Sequence, residues 1–241
     1  NTSGPSSSTR PAQSFSSASN LNSLEVQIQE LTKARRVEDA ERLLVQSIEA
    51  GARPVTRVYN HVIHALARLG RVDKCREWLT LMKNRPDVYT YSAIFNAYVR
   101  ASKRRPNTCH TEGALEMWHR MQRENVKPHT ICINTFLAVL IENGDTKLAN
   151  DHLTKCLDTK LLQPNVFTFA PFLNMCAKNG DAKTANMWLE KMKEYQVNPD
   201  AHLYQNAMEA HAKNSDATSA HKIFDNMVAA RVDQDAHCHG S

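Results

Sequence analysis

Positively charged side chains recur in this sequence at nearly equal intervals. Lysine or arginine occupies the equivalent position in five of six successive segments, and the remaining segment carries Glu142 there. The five cations are Lys33, Arg68, Arg100, Lys178 and Lys213. Because Lys and Arg make up only 30 of 241 residues, random placement does not account for this register. A fold that aligns these positions would form a cationic stripe, which suits a chain of phosphate groups.

The same cations also have a purely structural interpretation. Each lies near the end of an apolar helical pattern, where a positive charge stabilises the negative pole of the helix dipole by about 0.3–1 kcal/mol. Glu142 interrupts the stripe in the fourth segment. Lys103, Arg104 and Arg105 lie in a long segment that is predicted as an inter-helix loop, where solvated side chains are the ordinary outcome.

Repeated segments of about 35 residues must position these side chains, and each segment ends near a proline-centred turn. Within a segment, two amphipathic helix patterns follow each other; in residues 166–200, Gly180 separates them and Asn198-Pro199-Asp200 closes the unit. The predicted units are 21–55, 56–87, 88–129, 130–165, 166–200 and 201–235. Since one helix pair alone leaves an apolar face exposed, the units are expected to stack into an all-α array.

Composition agrees with a helical array and sets its limits. The chain has 41% apolar residues, 7% aromatic residues and seven glycines, which argues against a barrel or sandwich with many tight turns. Its net charge of +5 permits a polyanionic partner without requiring one. The six cysteines form no CxxC pair, so we expect reduced thiols that pack as small apolar side chains. No apolar run approaches the roughly 18 residues that span a membrane.

The two ends of the chain differ from the array. Residues 1–20 contain eight serines and no acidic residue, so we predict a disordered leader, which is either the end of an organelle transit peptide or a linker. Residues 236–241 are predicted to be a tail, the truncated start of a further unit. His237, Cys238 and His239 are adjacent there, which is a poor arrangement for a preformed metal site.

Sequence motifs for catalysis are missing from this chain. It has no GxGxxG, no phosphate-binding loop, no HExxH, and no HxE followed by CxxC. His61 and His64 share a helix face but have no carboxylate at a ligand-like spacing. We therefore predict no catalytic residue, no metal site and no cofactor.

The repeated units carry a family resemblance. First-helix segments such as VYNHVIHAL, TYSAIFNAY and CINTFLAVL, with second helices ending in WLTLMK, MWHRMQ and WLEKMK before P-D or P-H, resemble pentatricopeptide repeats over residues 21–235. Alanine recurs at the twentieth position of a unit and methionine at the twenty-seventh. The tetratricopeptide repeat is the nearest alternative, but its tryptophan, leucine and tyrosine spacing is not found here.

The resemblance implies a right-handed superhelical α-solenoid that binds single-stranded RNA on its concave face, one base per repeat. In this family the fifth residue of a unit contacts the base edge and the last residue supports that contact. The base-facing residues implied are Asn60, Asp87, Ser92, His129, Asn134, Asn165, Gln205 and Asp235. Asn60 with Asp87 resembles a uridine-preferring pair, and Asn134 with Asn165 resembles a pyrimidine reader that leans to cytidine. Glu25 and Ala170, the fifth residues of the first and fifth units, match no such base-selective pair.

Flat side chains at the second position of a unit are candidates for base stacking: Arg57, Tyr89, Phe167 and His202. An aromatic residue at helical spacing is also a frequent core residue, and a helix-start asparagine such as Asn60 or Asn134 also serves as a backbone cap. For these residues both interpretations stay open. The five cations of the stripe are the expected phosphate contacts.

Three functional classes remain at this point. The first is a non-enzymatic RNA-binding solenoid of mitochondria or plastids, acting in RNA processing, stabilisation, editing or translation, with other RNA-processing proteins as further partners. The second is a protein-binding helical scaffold, and the third is the RNA-targeting module of a longer RNA-processing enzyme. No membrane association is expected, and a monomer is favoured.

Overall fold

Twelve α-helices and no strand make up the part of the chain that a computed structural model describes, residues 18–105 and 109–230. The helices are α1 (Ala18–Lys33), α2 (Val37–Glu49), α3 (Thr56–Arg68), α4 (Val72–Leu81), α5 (Val88–Arg104), α6 (Thr111–Arg123), α7 (Thr130–Glu142), α8 (Thr146–Asp158), α9 (Val166–Asn179), α10 (Ala182–Glu194), α11 (Ala201–Lys213) and α12 (Ala217–Ala229).

Helix α1 begins at Ala18, inside the segment 1–20 that composition predicts as a disordered leader. Ser19 and Asn20 follow, and both residue types are favoured around a helix start, so the composition of the leader does not exclude helix there. Residues 1–17, Asp235 and the 236–241 tail lie outside the described residues.

Helices stack in pairs along the chain. The odd-numbered helices, from α1 to α11, each pack against the next odd-numbered helix, and each even-numbered helix packs against the odd-numbered helix before it. The predicted all-α solenoid of helical repeats is therefore confirmed. None of the described helices is long and apolar enough to cross a bilayer.

Aromatic side chains fill the space between consecutive helix pairs. Phe136 on α7 is fully buried, and its ring stacks on that of Trp118 with centroids 4.5 Å apart and an interplanar angle of 13°. The ring centroid of Phe95 on α5 lies 5.3 Å from that of Phe136. Ala114 and Ala149, at the position equivalent to the twentieth of a unit, are fully buried, because a larger side chain would separate the helices.

Four of the cysteines are buried in this core, as expected for small apolar side chains. Burial raises the pKa of the Cys75 thiol to about 12 and that of Cys132 to about 11. Burial likewise raises the pKa of Cys176 to about 12. These thiols are thus protonated at neutral pH and unreactive, since the thiolate is the nucleophilic form. Among the described cysteines only Cys109 is exposed.

A left-handed residue ends most first helices. The backbone has positive φ at Arg35, Gly70, Gly144, Gly180 and Ser215, the fifteenth residue of their units. The residue after each one donates its N–H to a carbonyl five residues before it, as Asp216 does to His211, which satisfies a free carbonyl of the helix end. Glycine is favoured here because it adopts positive φ without steric cost, yet Ser215 holds a φ of 57°.

Ser215→Gly is therefore expected to stabilise the array by about 0.5–1 kcal/mol, because it relieves the left-handed strain of a residue with a Cβ. Urea denaturation followed by circular dichroism at 222 nm measures this change. Ser215→Ala is the matched control, since alanine keeps the Cβ, and it should give no gain. If both variants are equally stable, the left-handed strain at Ser215 is negligible.

The third unit differs from the prediction between its two helices. Helix α5 continues to Arg104, so Lys103 and Arg104 are helical, whereas the sequence predicted a loop there. Nothing in the segment Ala101–Arg104 interrupts a helix, and the first residue that does so in the sequence is Pro106. Ser102 is buried and accepts a hydrogen bond from the amide of Asn143, which anchors this extension to helix α7.

Candidate nucleic-acid interface

The fifth residue of the second unit meets the last residue of that unit. Asp87 caps helix α5, because its carboxylate accepts the backbone N–H of Thr90 at 2.8 Å. From the neighbouring helix α3, the Asn60 side chain donates its Nδ2 to both Asp87 carboxylate oxygens, at 3.0 and 3.2 Å. Asn60 contacts side chains and not backbone N–H groups, so the capping interpretation does not describe it.

The fourth unit repeats this arrangement with two amides. Asn165 is the cap residue of helix α9. Asn134 on α7 donates its Nδ2 to Asn165 Oδ1 at 3.3 Å. Asn165 is exposed and Asn134 is partly buried, so this pair is reachable from solvent. The two pairs that the sequence interpretation could read are thus the two that the structure brings together.

Ser92 and His129, the corresponding residues of the third unit, form no such pair within the described part of the chain. Ser92 donates its hydroxyl to the Val88 carbonyl of its own helix at 2.7 Å. His129 uses Nδ1 to accept the backbone N–H of Cys132 at 3.0 Å, so it caps helix α7. Gln205 is exposed on α11, and Asp235 lies outside the described residues. In the third unit the structure thus places both residues at the predicted register without linking them.

Side chains at the second position form an exposed row, which we call the position-2 row. Large apolar groups in it are mostly solvent-accessible: Phe167 is 74% exposed, Ile131 67% and Tyr89 59%. The Tyr89 ring meets the His129 ring edge-on at 5.6 Å. Since these side chains do not belong to the core, the packing interpretation of Tyr89 and Phe167 does not hold in the structure. Exposed rings of this kind are suited to stacking.

Two members of the position-2 row are engaged by neighbouring side chains. The Arg57 guanidinium forms an ion pair with Glu25 at 2.6 Å, and a second contact between them measures 2.8 Å. Glu25 is the fifth residue of the first unit, so the negative charge there is neutralised within the protein. His202 is exposed, and its Nε2 lies 3.5 Å from Asn206 Nδ2.

The predicted cationic stripe divides into engaged and unengaged members. Lys213 donates its Nζ to the Ala177 carbonyl at 2.7 Å and pairs with Glu209 at 3.1 Å, so it caps the end of helix α9. Lys178 pairs with Glu142 at 3.5 Å, and Lys103 approaches the same carboxylate at 3.4 Å. Lys213 thus caps a helix end, but that of the preceding first helix and not its own, and Glu142 partly neutralises the charge of Lys178.

Lys33, Arg68 and Arg100 are exposed and form no ion pair or hydrogen bond with another side chain within 18–105 and 109–230. Arg68 and Arg100 line a depression of about 330 Å³ between the ends of helices α1, α3 and α5. Arg35 and Arg104 line it as well, and Arg104 donates to the Leu69 carbonyl. None of the described lining residues is acidic, so four arginine side chains share this depression without a carboxylate among them.

No group of three or more His, Cys, Asp or Glu residues within the described part of the chain is arranged to hold a metal ion. His61 lies 3.6 Å from Glu25, but that carboxylate is already paired with Arg57. Partial desolvation by the surrounding protein and the neighbouring His61 lower the pKa of His64, whose side chain is solvent-accessible, so the ring is mostly neutral at pH 7. The paired amides, the exposed rings and the unengaged cations together support binding through hydrogen bonds, ring faces and positive charge.

Family comparisons agree with the repeat geometry. Residues 54–100 match the model of the PPR repeat family, and residues 152–214 match the model of the pentatricopeptide repeat domain. Both matches fall on stacked helix pairs of the solenoid. The chain contains pentatricopeptide repeats.

Pentatricopeptide repeat proteins of Arabidopsis thaliana are its curated relatives. The chain is 22% identical over 186 residues to pentatricopeptide repeat-containing protein At5g25630, covering 74% of this chain and 31% of the relative. It is 27% identical over 111 residues to pentatricopeptide repeat-containing protein At5g48730, chloroplastic, covering 44% of this chain and 20% of the relative. The chain thus spans less than a third of the length of either relative.

Solved structures share its fold. Pentatricopeptide repeat protein PPR10 is a maize protein. Its crystal structure in complex with an 18-nt psaJ RNA element matches with a TM-score of 0.64 and 20% identity, covering 87% of this chain and 34% of that chain. At this level of identity the likeness establishes the solenoid fold of this pentatricopeptide repeat protein.

Two buried threonines near the paired residues were not singled out by the sequence interpretation. Thr90 and Thr168 are the third residues of their units, and both are fully buried. The signal that could have found them is the spacing D-x-x-T at Asp87 and N-x-x-T at Asn165, in which the threonine hydroxyl accepts the backbone N–H of the cap residue.

Proposed function

We propose that this pentatricopeptide repeat array binds single-stranded RNA along the surface formed by the beginnings of its first helices. The observation that carries the proposal is the repeated hydrogen-bonded pair, Asn60 with Asp87 and Asn134 with Asn165, each followed two residues later by an exposed ring, Tyr89 or Phe167. Single-stranded RNA presents unpaired base edges and free ring faces, which duplexes do not offer to such side chains.

Hydrogen-bonding chemistry assigns different bases to the two pairs. Asp87 carries only acceptors, so a base beside it should offer an N–H, as uracil does at N3. Asn165 uses Oδ1 for Asn134, which leaves its Nδ2 as a donor; a base beside it should offer an acceptor, as cytosine does at N3. The second unit would therefore favour uridine and the fourth cytidine. With one base per unit, one nucleotide, that of the third unit, separates the two pyrimidines.

Stacking would add affinity with little selectivity. Base–aromatic stacking contributes about 1–3 kcal/mol per base, and it tolerates any base because every base has a ring face. Tyr89 and Phe167 are exposed enough to accept a base without rearrangement of the core. The array should thus bind many sequences moderately well and prefer those with pyrimidines at the two readable units.

The backbone contacts give a prediction on salt dependence. Three unengaged cations, Lys33, Arg68 and Arg100, predict a slope of log K against log salt of about −2.1, and participation of all five cations predicts about −3.5, at roughly −0.7 per neutralised phosphate. Titration of a random-sequence single-stranded RNA pool at several salt concentrations measures the slope. A slope near zero, or equal affinity for duplex DNA of the same length, would contradict RNA binding by this surface.

A pair of variants links that slope to named residues. Arg68→Gln combined with Arg100→Gln should make the slope about 1.4 less steep, since two phosphate contacts are lost. Lys83→Gln removes one exposed positive charge outside the stripe and should leave the slope unchanged. If both proteins behave alike, the phosphates follow another path.

The plant relatives bear on the compartment in which this array would act. The relatives are plant pentatricopeptide repeat proteins, and the name of one includes the word chloroplastic. We place this protein in a mitochondrion or plastid, where it would act on RNA processing, stabilisation, editing or translation by binding alone. Localisation of a fluorescent fusion of the full-length protein tests the compartment.

A further inference from the structure

A buried hydroxyl, that of the third residue in the next unit, lies beneath each of the two readable pairs. Thr90 Oγ1 lies 2.7 Å from Asn60 Oδ1, and Thr168 Oγ1 lies 3.0 Å from Asn134 Oδ1. Both threonines are fully buried. Each hydroxyl therefore contacts the base-facing asparagine of the preceding unit from the protein side, where an RNA base cannot reach it.

Proton accounting fixes the direction of the bond in the second unit. The backbone N–H of Asp87 donates to Thr90 Oγ1 at 3.2 Å, so the hydroxyl is an acceptor there. Its single proton is left for Asn60 Oδ1 at 2.7 Å or for Asp87 Oδ1 at 3.0 Å. Donation to Asn60 is the shorter contact, and it holds Oδ1 inward while Nδ2 reaches Asp87.

The fourth unit has the same arrangement with a weaker partner. Thr168 Oγ1 accepts the backbone N–H of Asn165 at 3.1 Å, and the same oxygen lies 3.0 Å from Asn134 Oδ1 and 3.3 Å from Asn165 Oδ1. Asn165 is neutral, so it repels an inverted Asn134 less than the Asp87 carboxylate repels an inverted Asn60, although the capping box with Thr168 favours its present orientation. The threonine proton therefore contributes more here to deciding which end of Asn134 faces inward, and so which end of the pair faces a base.

The other units lack both the asparagine at the fifth position and the threonine at the third position of the next unit. Where the fifth residue is Glu25, Ser92 or Ala170, the third residue of the next unit is Val58, Cys132 or Leu203, respectively. Valine and leucine have no hydroxyl, and a thiol is a weak donor. Within the described units of this chain, a threonine occurs at that place when, and only when, the preceding fifth residue is asparagine.

We propose that Thr90 and Thr168 are positioning residues that set base selectivity by fixing the amide orientation of Asn60 and Asn134. The inference rests on the proposed RNA-binding function of the same surface. The fourth unit should depend on its threonine more than the second. An inverted Asn60 would place Oδ1 against the Asp87 carboxylate, which repels it, whereas an inverted Asn134 would meet the neutral amide of Asn165, which can invert at the cost of its cap contact.

Thr168→Val keeps the shape of the side chain and removes the hydroxyl, so it tests the inference directly. The preference of the full protein for cytidine over adenosine and guanosine at the nucleotide of the fourth unit should fall about tenfold, the factor expected from one lost hydrogen bond. Competition binding of single-stranded RNAs that differ at that nucleotide gives the ratio. Thr90→Val should lower the preference at the nucleotide of the second unit by a smaller factor.

Each variant is the control of the other, because each should leave selectivity at the other nucleotide unchanged. Thr168→Ser restores the hydroxyl and should restore selectivity, whereas a merely structural role would not separate Ser from Val in base preference at equal thermal stability. In the RNA-free protein, Thr168→Val should also shift the side-chain amide resonances of Asn134 in a ¹⁵N–¹H spectrum.

The outcomes separate this inference from the proposed function. If the unaltered protein does not bind single-stranded RNA, the proposed function fails, and the amide spectrum alone still tests the orientation. If the unaltered protein binds and selects pyrimidines while Thr168→Val selects them equally well with an unchanged amide spectrum, the positioning role is overturned and the proposed function stands.

Discussion

Replacing Phe136 by alanine is expected to lower the free energy of unfolding by about 3–5 kcal/mol. Phe136 is fully buried, stacks on Trp118 at 4.5 Å and touches Phe95 at 5.3 Å, so its loss leaves a cavity between the third and fourth units. In a stacked array each unit depends on the contact with its neighbours. Urea denaturation followed by circular dichroism should therefore show a lower midpoint of unfolding. The units on the two sides of this junction should then unfold less cooperatively.

Phe167→Ala is the matched control for this prediction. It deletes the same atoms from the first turn of a helix, but the side chain is 74% exposed, so the change in stability should stay within about 0.5 kcal/mol. Phe167→Ala should weaken RNA binding more than Phe136→Ala does, because Phe167 is a proposed stacking residue. Equal destabilisation by both variants would mean that Phe167 packs in solution as part of the core.

The resemblance to pentatricopeptide repeats located the paired residues in the sequence, and two local rules explain why they meet. Pro86 ends one segment, and Asp87 caps the next helix, so the start of α5 is determined within a residue. Regular repetition then brings the fifth residue of the preceding first helix to that cap. Asn60 and Asn134 meet their partners for this reason, whereas for Tyr89 and Phe167 the sequence left core packing and exposure open, and only the structure shows that both rings are exposed.

The individual partners of the charged residues could not be predicted in the same way. Lys213 and Arg68 occupy the same register, yet Lys213 reaches the Ala177 carbonyl and Arg68 lines an open depression. A long flexible side chain can contact any of several carbonyls and carboxylates of other units. The spacing of residues in the sequence does not specify the distances from the charged group to these acceptors. The ion pair between Arg57 and Glu25 likewise joins two units, so the pattern within one unit does not indicate it.

Asp87→Asn is expected to change the base preference of the second unit from uridine toward cytidine. The substitution replaces an acceptor-only carboxylate by an amide, whose Nδ2 becomes available to a base acceptor once Oδ1 accepts from Asn60. Discrimination by such contacts is worth about 1–3 kcal/mol, so the uridine-to-cytidine affinity ratio should change by about five- to 150-fold. Competition binding with RNAs that differ only at this nucleotide measures the ratio.

The reciprocal exchange Asn165→Asp should move the fourth unit toward uridine, and the double variant should exchange the two preferences while overall affinity is retained. Asp and Asn cap a helix equally well, so neither substitution should change stability by more than about 0.5 kcal/mol. A loss of affinity for every RNA would indicate that the added or removed charge acts on the phosphates. Unchanged preferences in both variants would mean that the hydrogen-bonded pairs at Asn60 and Asn134 hold the helices together and do not contact bases.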